Sequence, residues 1–181
     1  MEIPITEQIK KSAFEYFLLK VLSVNNSLET NDFSLLKVMK LLFFTSAVSY
    51  YDYKEGDSLL DNVFNKFKAL PFGHVETNIY GYLKNKDFNN IVINNKCSKI
   101  LNTNQIIENV NTDLKFKIDN SITALLDINQ ELFSISAFDL VELSHKWYSW
   151  QHYYSIARSN ERYSEDIPVS AIKGEEHFFY L

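Results

Sequence analysis

Phe33-Ser34-Leu35-Leu36-Lys37-Val38-Met39-Lys40-Leu41-Leu42-Phe43-Phe44-Thr45-Ser46-Ala47-Val48-Ser49-Tyr50-Tyr51 is apolar on nearly every side when wound as an α-helix. Lys37 and Lys40, three apart and so on one stripe, are expected to keep its only wet edge. A helix apolar this far round sits centrally among its neighbours, which makes this segment the hub of the core. The most apolar stretch, Leu35–Tyr53, is interrupted by Lys37, Lys40, Asp52 and several hydroxyls, so it lacks the roughly 18 uninterrupted apolar residues of a membrane span. Asn31-Asp32 offers its N-cap.

Working outward, Ile9, Ala13, Phe17 and Val21 recur every four residues beside Phe14 and Leu18, with Lys10, Lys11, Glu15 and Lys20 filling much of the remainder. That pattern predicts an amphipathic helix from Thr6, its N-cap, to Leu22, followed by a break at Ser23–Ser27. Asp52–Asp57, with Gly56, reads as a loop, and Leu59, Val63, Phe64 and Phe67 predict a helix over Ser58–Leu70. Pro71 stops that helix and makes Pro71-Phe72-Gly73-His74-Val75 a shaped turn before a short helix over Glu76–Lys84. Asn85–Asp113 is rich in asparagine between short apolar runs such as Ile91-Val92-Ile93. It is either a β-hairpin with an irregular loop or a mobile surface excursion. Helical spacing returns over Leu114–Leu132. Ser134 or Ser136 caps a further helix running through Phe138 and Leu143 towards Trp147, and one or two more turns cover Trp150–Arg158. Arg158–Asp166 is charged and expected to be exposed, and Ile167-Pro168-Val169-Ser170 begins a short terminal element.

The expected fold is therefore mainly α. It is a compact single-domain helical bundle over residues 1–181 around a central apolar helix, with 85–113 as a variable excursion that can hold a small β-hairpin. A length of 181 residues fits one domain, and 46% apolar with 23% charged residues is ordinary for a chain that buries a core. Four glycines and three prolines are too few to punctuate an all-β fold. A net charge of −5 disfavours non-specific binding of a polyanion, so nucleic acid is not the expected partner. Cys97, the single cysteine, excludes an intramolecular disulfide and a multi-cysteine zinc site, and Met1–Glu7 carries no leader pattern; a cytoplasmic location follows as the expectation.

Catalytic signatures are missing. His145 and His152, seven apart on one side of a continuous helix, could be approached by Asp139 or Glu142, but no H-E-x-x-H or i, i+4 histidine pair supports a metal. No G-x-S-x-G surrounds a serine, Cys97 lies in no recognised setting, and Gly56, Gly73, Gly81 and Gly174 are isolated rather than clustered into a phosphate loop. The expectation is a protein without catalytic residues, metal or cofactor. Its densest feature is His145-Lys146-Trp147-Tyr148-Ser149-Trp150-Gln151-His152-Tyr153-Tyr154, whose rings suit either an interface anchor or a helix packed on the core.

Three stretches in order resemble the Panacea domain family of SocA-like antitoxins. Lys37-Val38-Met39-Lys40-Leu41-Leu42-Phe43-Phe44 is similar to the family's K-L-x-K-L-L-Y-[YF] helix, with both lysines in place. Phe67-Lys68-Ala69-Leu70-Pro71-Phe72-Gly73-His74-Val75, followed by Ile79-Tyr80, resembles its F-x-A-[WL]-x-x-G-P-V turn. Leu143-Ser144-His145 with Trp150, then Ile167-Pro168, resembles its L-[ST]-H-x-x-x-x-W and later I-P. His74 stands where the family has proline, which leaves a backbone N–H and a titratable ring in a turn expected to be looser or pH-sensitive. About half the chain is covered, and 85–132 has no counterpart. The resemblance implies a mainly helical antitoxin, from a prophage or other mobile element, that neutralises a cognate toxin by direct contact. The alternative it implies is a proteolytic adaptor or regulatory interaction protein working with a AAA+ protease. Phe72, Gly73, His74, His145, Trp147 and Trp150 are the expected partner-binding positions.

Overall fold

The computed structural model describes residues 6–24, 31–52 and 56–181. The Met1–Ile5 start lies outside them, as do parts of the breaks read at Ser23–Ser27 and Asp52–Asp57. The chain is mostly helical, with two small antiparallel sheets.

Helix α1 (Glu7–Val24) starts where Thr6 Oγ1 accepts the Ile9 N–H at 3.3 Å. Its polar face is covered: Lys10 donates to Glu76 at 2.7 Å, and Glu15 accepts the Asn90 side-chain amide at 3.0 Å. Helix α2 (Leu35–Asp52) is buried along most of its length, and packs against α1's neighbours from later in the chain. Its hydroxyls do not spoil this face, because Ser46 and Ser49 donate to the helix's own carbonyls at 2.7 and 2.8 Å.

Two expectations about α2 need correction. Ser34, not Asn31-Asp32, accepts the first helical N–H, from Lys37 at 3.3 Å, while Asn31 reaches across to Ser98 O at 2.6 Å. The lysines are not a wet edge either, since both are fully buried. Lys37 Nζ is paired with Asp32 at 2.8 Å over the Phe33 ring, and Lys40 Nζ donates to the His74 carbonyl at 2.5 Å. Long stems bury readily when the head finds an acceptor.

The helix expected over Ser58–Leu70 is instead a short α3 (Leu59–Asn62) and strand β1 (Phe67–Leu70). A Ser58–Asp61 capping box starts α3. Strand β1 turns through Pro71-Phe72 into β2 (Gly73–Glu76), and its other edge takes β5 (Glu165–Ile167), giving the order β2-β1-β5. Glu76 closes β2 and caps α4 (Thr77–Asn85) by accepting the Ile79 N–H at 2.8 Å.

The asparagine-rich segment is an ordered hairpin, β3 (Ile91–Ile93) with β4 (Ser98–Ile100), followed by α5 (Thr103–Asn109). It is tied to the core where Leu35 N–H meets Asn94 O at 2.8 Å. Helix α6 (Thr112–Ile128) leads through a 3₁₀ turn to α7 (Ala137–His145) and α8 (Tyr148–Ser159), and a short α9 (Val169–Lys173) follows β5. Ser136 is the cap of α7: Oγ accepts the Asp139 N–H at 3.1 Å, and Asp139 Oδ2 accepts the Ser136 N–H at 3.2 Å. Ser136→Ala should lower stability by about 1 kcal/mol, read as a shifted urea midpoint at unchanged slope. No helix among the described residues is long and apolar enough to cross a membrane.

Candidate functional site

The three stretches singled out in the sequence meet at the β1–β2 turn. Gly73 opens β2 at φ +92°, and a Cβ there would lie 2.4 Å from Ser144 Oγ and 2.9 Å from Lys40 Nζ. So α2, β2 and α7 approach one another through the space a side chain would fill.

His74 follows, fully buried and stacked on Phe43 at 3.7 Å and 7°. Its ring nitrogens lie 2.9 Å from Ser144 Oγ and 2.8 Å from Ser149 Oγ, and its backbone N–H donates to Ser144 Oγ at 3.2 Å. A proline could not make that last bond, so histidine ties the turn rather than loosening it. Burial pushes the His74 pKa well below the ordinary range, with the Lys40 charge acting the same way. Burial also lowers Lys40, to about 7. Lys40, His74, Ser144 and Ser149 form a polar knot in the interior, all fully buried. Two hydroxyls, rather than a carboxylate, face the imidazole, which suits it to hold helices together.

The outer side of this knot is aromatic. Trp150 Nε1 donates to Leu70 O at 2.8 Å, which fixes α8 on β1. Its ring stacks on His145 at 3.7 Å and 17°, and on Tyr154 at 4.9 Å and 16°. All three residues are half-buried. Burial lowers the His145 pKa, its backbone partner is Pro71, and its Nε2 is covered and unpartnered. Phe72, at the tip of the turn, is 53% exposed.

Of the expected partner-binding residues, then, Phe72, His145 and Trp150 share a surface. Gly73, His74 and Trp147 lie inside, Trp147 donating to Phe178 O at 3.0 Å and meeting Phe43 edge-on at 4.8 Å. Tyr154 completes the stack, four residues after Trp150 on α8, and the dense aromatic run signalled it without assigning its face. The helix breaks between His145 and Tyr148, so the single continuous helix that would put His145 and His152 on one side does not exist. His145 stacks on Trp150 and His152 on Tyr148. Among the described residues, no group of three or more His, Cys, Asp and Glu is placed to hold a metal ion.

Comparison with protein-family models, curated proteins and solved structures finds no match to this chain.

Proposed function

We propose that this chain is a cytoplasmic antitoxin of the Panacea type, neutralising a cognate toxin by stoichiometric contact, without catalysis or cofactor. Its scaffold in this reading is a helical bundle around α2, and its contact surface is the His145–Trp150–Tyr154 stack with Phe72. The observation that carries the reading is this half-exposed stack. Three rings are held parallel by the bond from Trp150 to Leu70 O and stand beside an exposed phenylalanine on a two-residue turn. Rigid aromatics that combine apolar area with a polar tip lose little entropy on binding and make good hot spots. Convergence of the three family-like stretches on this turn lends further support, and a net charge of −5 favours a basic partner.

The test is co-expression with the product of the adjacent open reading frame, scored by pull-down and by growth. The expected result is a neighbour that is toxic alone, and bound and silenced here. Phe72→Ala, at an exposed position, should then weaken the complex about tenfold without shifting thermal stability. A harmless, unbound neighbour overturns the antitoxin assignment, and capture of a AAA+ protease instead would mark an adaptor.

A further inference from the structure

His145 closes α7 and Tyr148 opens α8, so two rings of the surface stack, His145 and Trp150, belong to different helices. Five residues apart on one unbroken helix, they would stand about 140° apart round its axis and could not stack. They lie parallel at 3.7 Å and 17° because the helix breaks, and the angle of that break decides whether the surface exists.

One buried ring spans the break. His74 Nδ1 lies 2.9 Å from Ser144 Oγ, in the last turn of α7, and Nε2 lies 2.8 Å from Ser149 Oγ, in the first turn of α8. Ser144 immediately precedes His145, and Ser149 immediately precedes Trp150. Burial keeps the imidazole neutral, so it has one N–H to give and one lone pair to fill, and a hydroxyl serves either need. The Phe43 ring stacked on it at 3.7 Å and the His74 N–H bonded to Ser144 Oγ hold it in place.

The other ties at the break act on one ring, on one helix or from the solvent side. Trp150 Nε1 reaches Leu70 O at 2.8 Å and His145 has Pro71 as its backbone partner, so each fastens a single ring to the turn. Trp147 Nε1 and the Ser149 N–H reach the C-terminal segment, at Phe178 O and Glu175. Gln151 Nε2 crosses the break to His145 O at 2.8 Å, but from an exposed position where water competes for the same groups. The His74 bonds join the two helices in the dry interior, where leaving a polar group unpaired is costly.

We propose that His74, fully buried and so out of any partner's reach, is the positioning residue of this surface. By holding Ser144 and Ser149 on one ring, it sets the angle between α7 and α8 at which His145 and Trp150 stack. The role rests on the partner-binding reading of the stack, since a surface formed in advance spares a partner the cost of ordering it.

Ser149→Ala removes one of the two ties and keeps the backbone N–H that bonds Glu175. Proton spectra of the full chain read the stack through the His145 Hδ2 and Hε1 resonances, which the Trp150 ring current shifts upfield. In Ser149→Ala these resonances are expected to move downfield, and the cross peaks between the two rings to weaken. His74→Asn, which reaches Ser144 but is too short for Ser149, should do the same, and the double variant should add little. Ser121→Ala, which removes a buried hydroxyl bonded to Lys117 O within α6, should leave the stack unmoved. Against the product of the adjacent open reading frame, Ser149→Ala should weaken the complex about tenfold and Ser121→Ala should not. An unmoved stack in Ser149→Ala would overturn the assignment, because the bonds to Leu70 and Pro71 would then suffice. So would a loosened stack with parental affinity, or an equal loss of affinity in Ser121→Ala. A loosened stack beside a harmless, unbound neighbour sinks the antitoxin reading alone.

Discussion

Gly73→Ala is expected to cost roughly 2–5 kcal/mol of stability, the largest loss from a methyl group added at any of the four glycines. Two effects combine. At φ +92° an L side chain is strained whatever the space around it, and the new Cβ would arrive 2.4 Å from Ser144 Oγ and 2.9 Å from both Ser144 Cβ and Lys40 Nζ. Neither neighbour yields cheaply: Ser144 is fully buried and bonded to His74, and Lys40 holds the His74 carbonyl. Urea denaturation at fixed pH measures the change. In a Ser144→Gly background, itself weakened by loss of the His74 bonds, Gly73→Ala should cost less than in the parent, because the clash with Ser144 is gone and the strain is not. A Gly73→Ala chain within 1 kcal/mol of the parent would show that α7 and α2 can move apart, and that the knot is not rigid.

Stability should rise by about 2 kcal/mol between pH 7 and pH 9, a range in which an ordinary domain changes little. The cause is Lys40, which burial lowers from 10.5 to about 7 and which has no carboxylate beside its amine among the described residues. Below pH 7 both folded and unfolded chains carry the proton, and the full cost of burying the charge is present. Above pH 7 the folded chain has lost that proton while the unfolded chain keeps it until about pH 10.5, so the unfolded state binds more protons and stability climbs. His74 works in the same direction at lower pH: its depressed folded pKa makes stability rise with pH up to its unfolded value of about 6.5. Lys40→Met should flatten the rise above pH 7 and make the chain more stable in mild acid, as the buried charge is gone. Thermal or urea unfolding at pH 7, 8 and 9 decides the matter. A flat parent curve, or a Lys40→Met curve that still climbs, would mean the amine is hydrated in the folded chain.

Both results concern residues whose type was legible in the sequence and whose role was not. Lys40 sits on a stripe with Lys37, and a lysine pair three apart on an apolar helix reads as the solvent edge. Only the carbonyl of His74, 34 residues away, and Asp32 before the helix make burial of the two amines possible. The same holds for Lys10 and Glu15 of α1, whose polar face is covered by Glu76 and Asn90. Phe116 and Phe138 fit their helices' apolar pattern yet stand 60% and 66% exposed, with no element among the described residues over them.

The missed strand has a different cause. Leu59, Val63, Phe64 and Phe67 satisfy a helical period. Phe67-Lys68-Ala69-Leu70 also alternates buried and half-buried as a strand should, and four residues are too few to separate the two periods. The strand is held on both edges, by β2 across the Pro71-Phe72 turn and by β5, which pairs Phe67 with Ile167 across 100 residues of chain, and no local signal carries the second pairing.

The sequence by itself determined the helical character, the buried identity of α2, the amphipathic α1, a serine cap for α7 at Ser134 or Ser136 and the turn at Pro71. Each of these rests on interactions within a few residues: side-chain periodicity, a capping hydroxyl, or the fixed φ of proline. The tertiary structure alone decided which lysines lose their water, where α7 breaks from α8, which of the two serines caps α7, and which aromatic rings face outward beside Phe72. Those are properties of groups brought together from distant parts of the chain. Burial and hydrogen-bond satisfaction depend on every neighbour at once, so they exist only when the fold is complete.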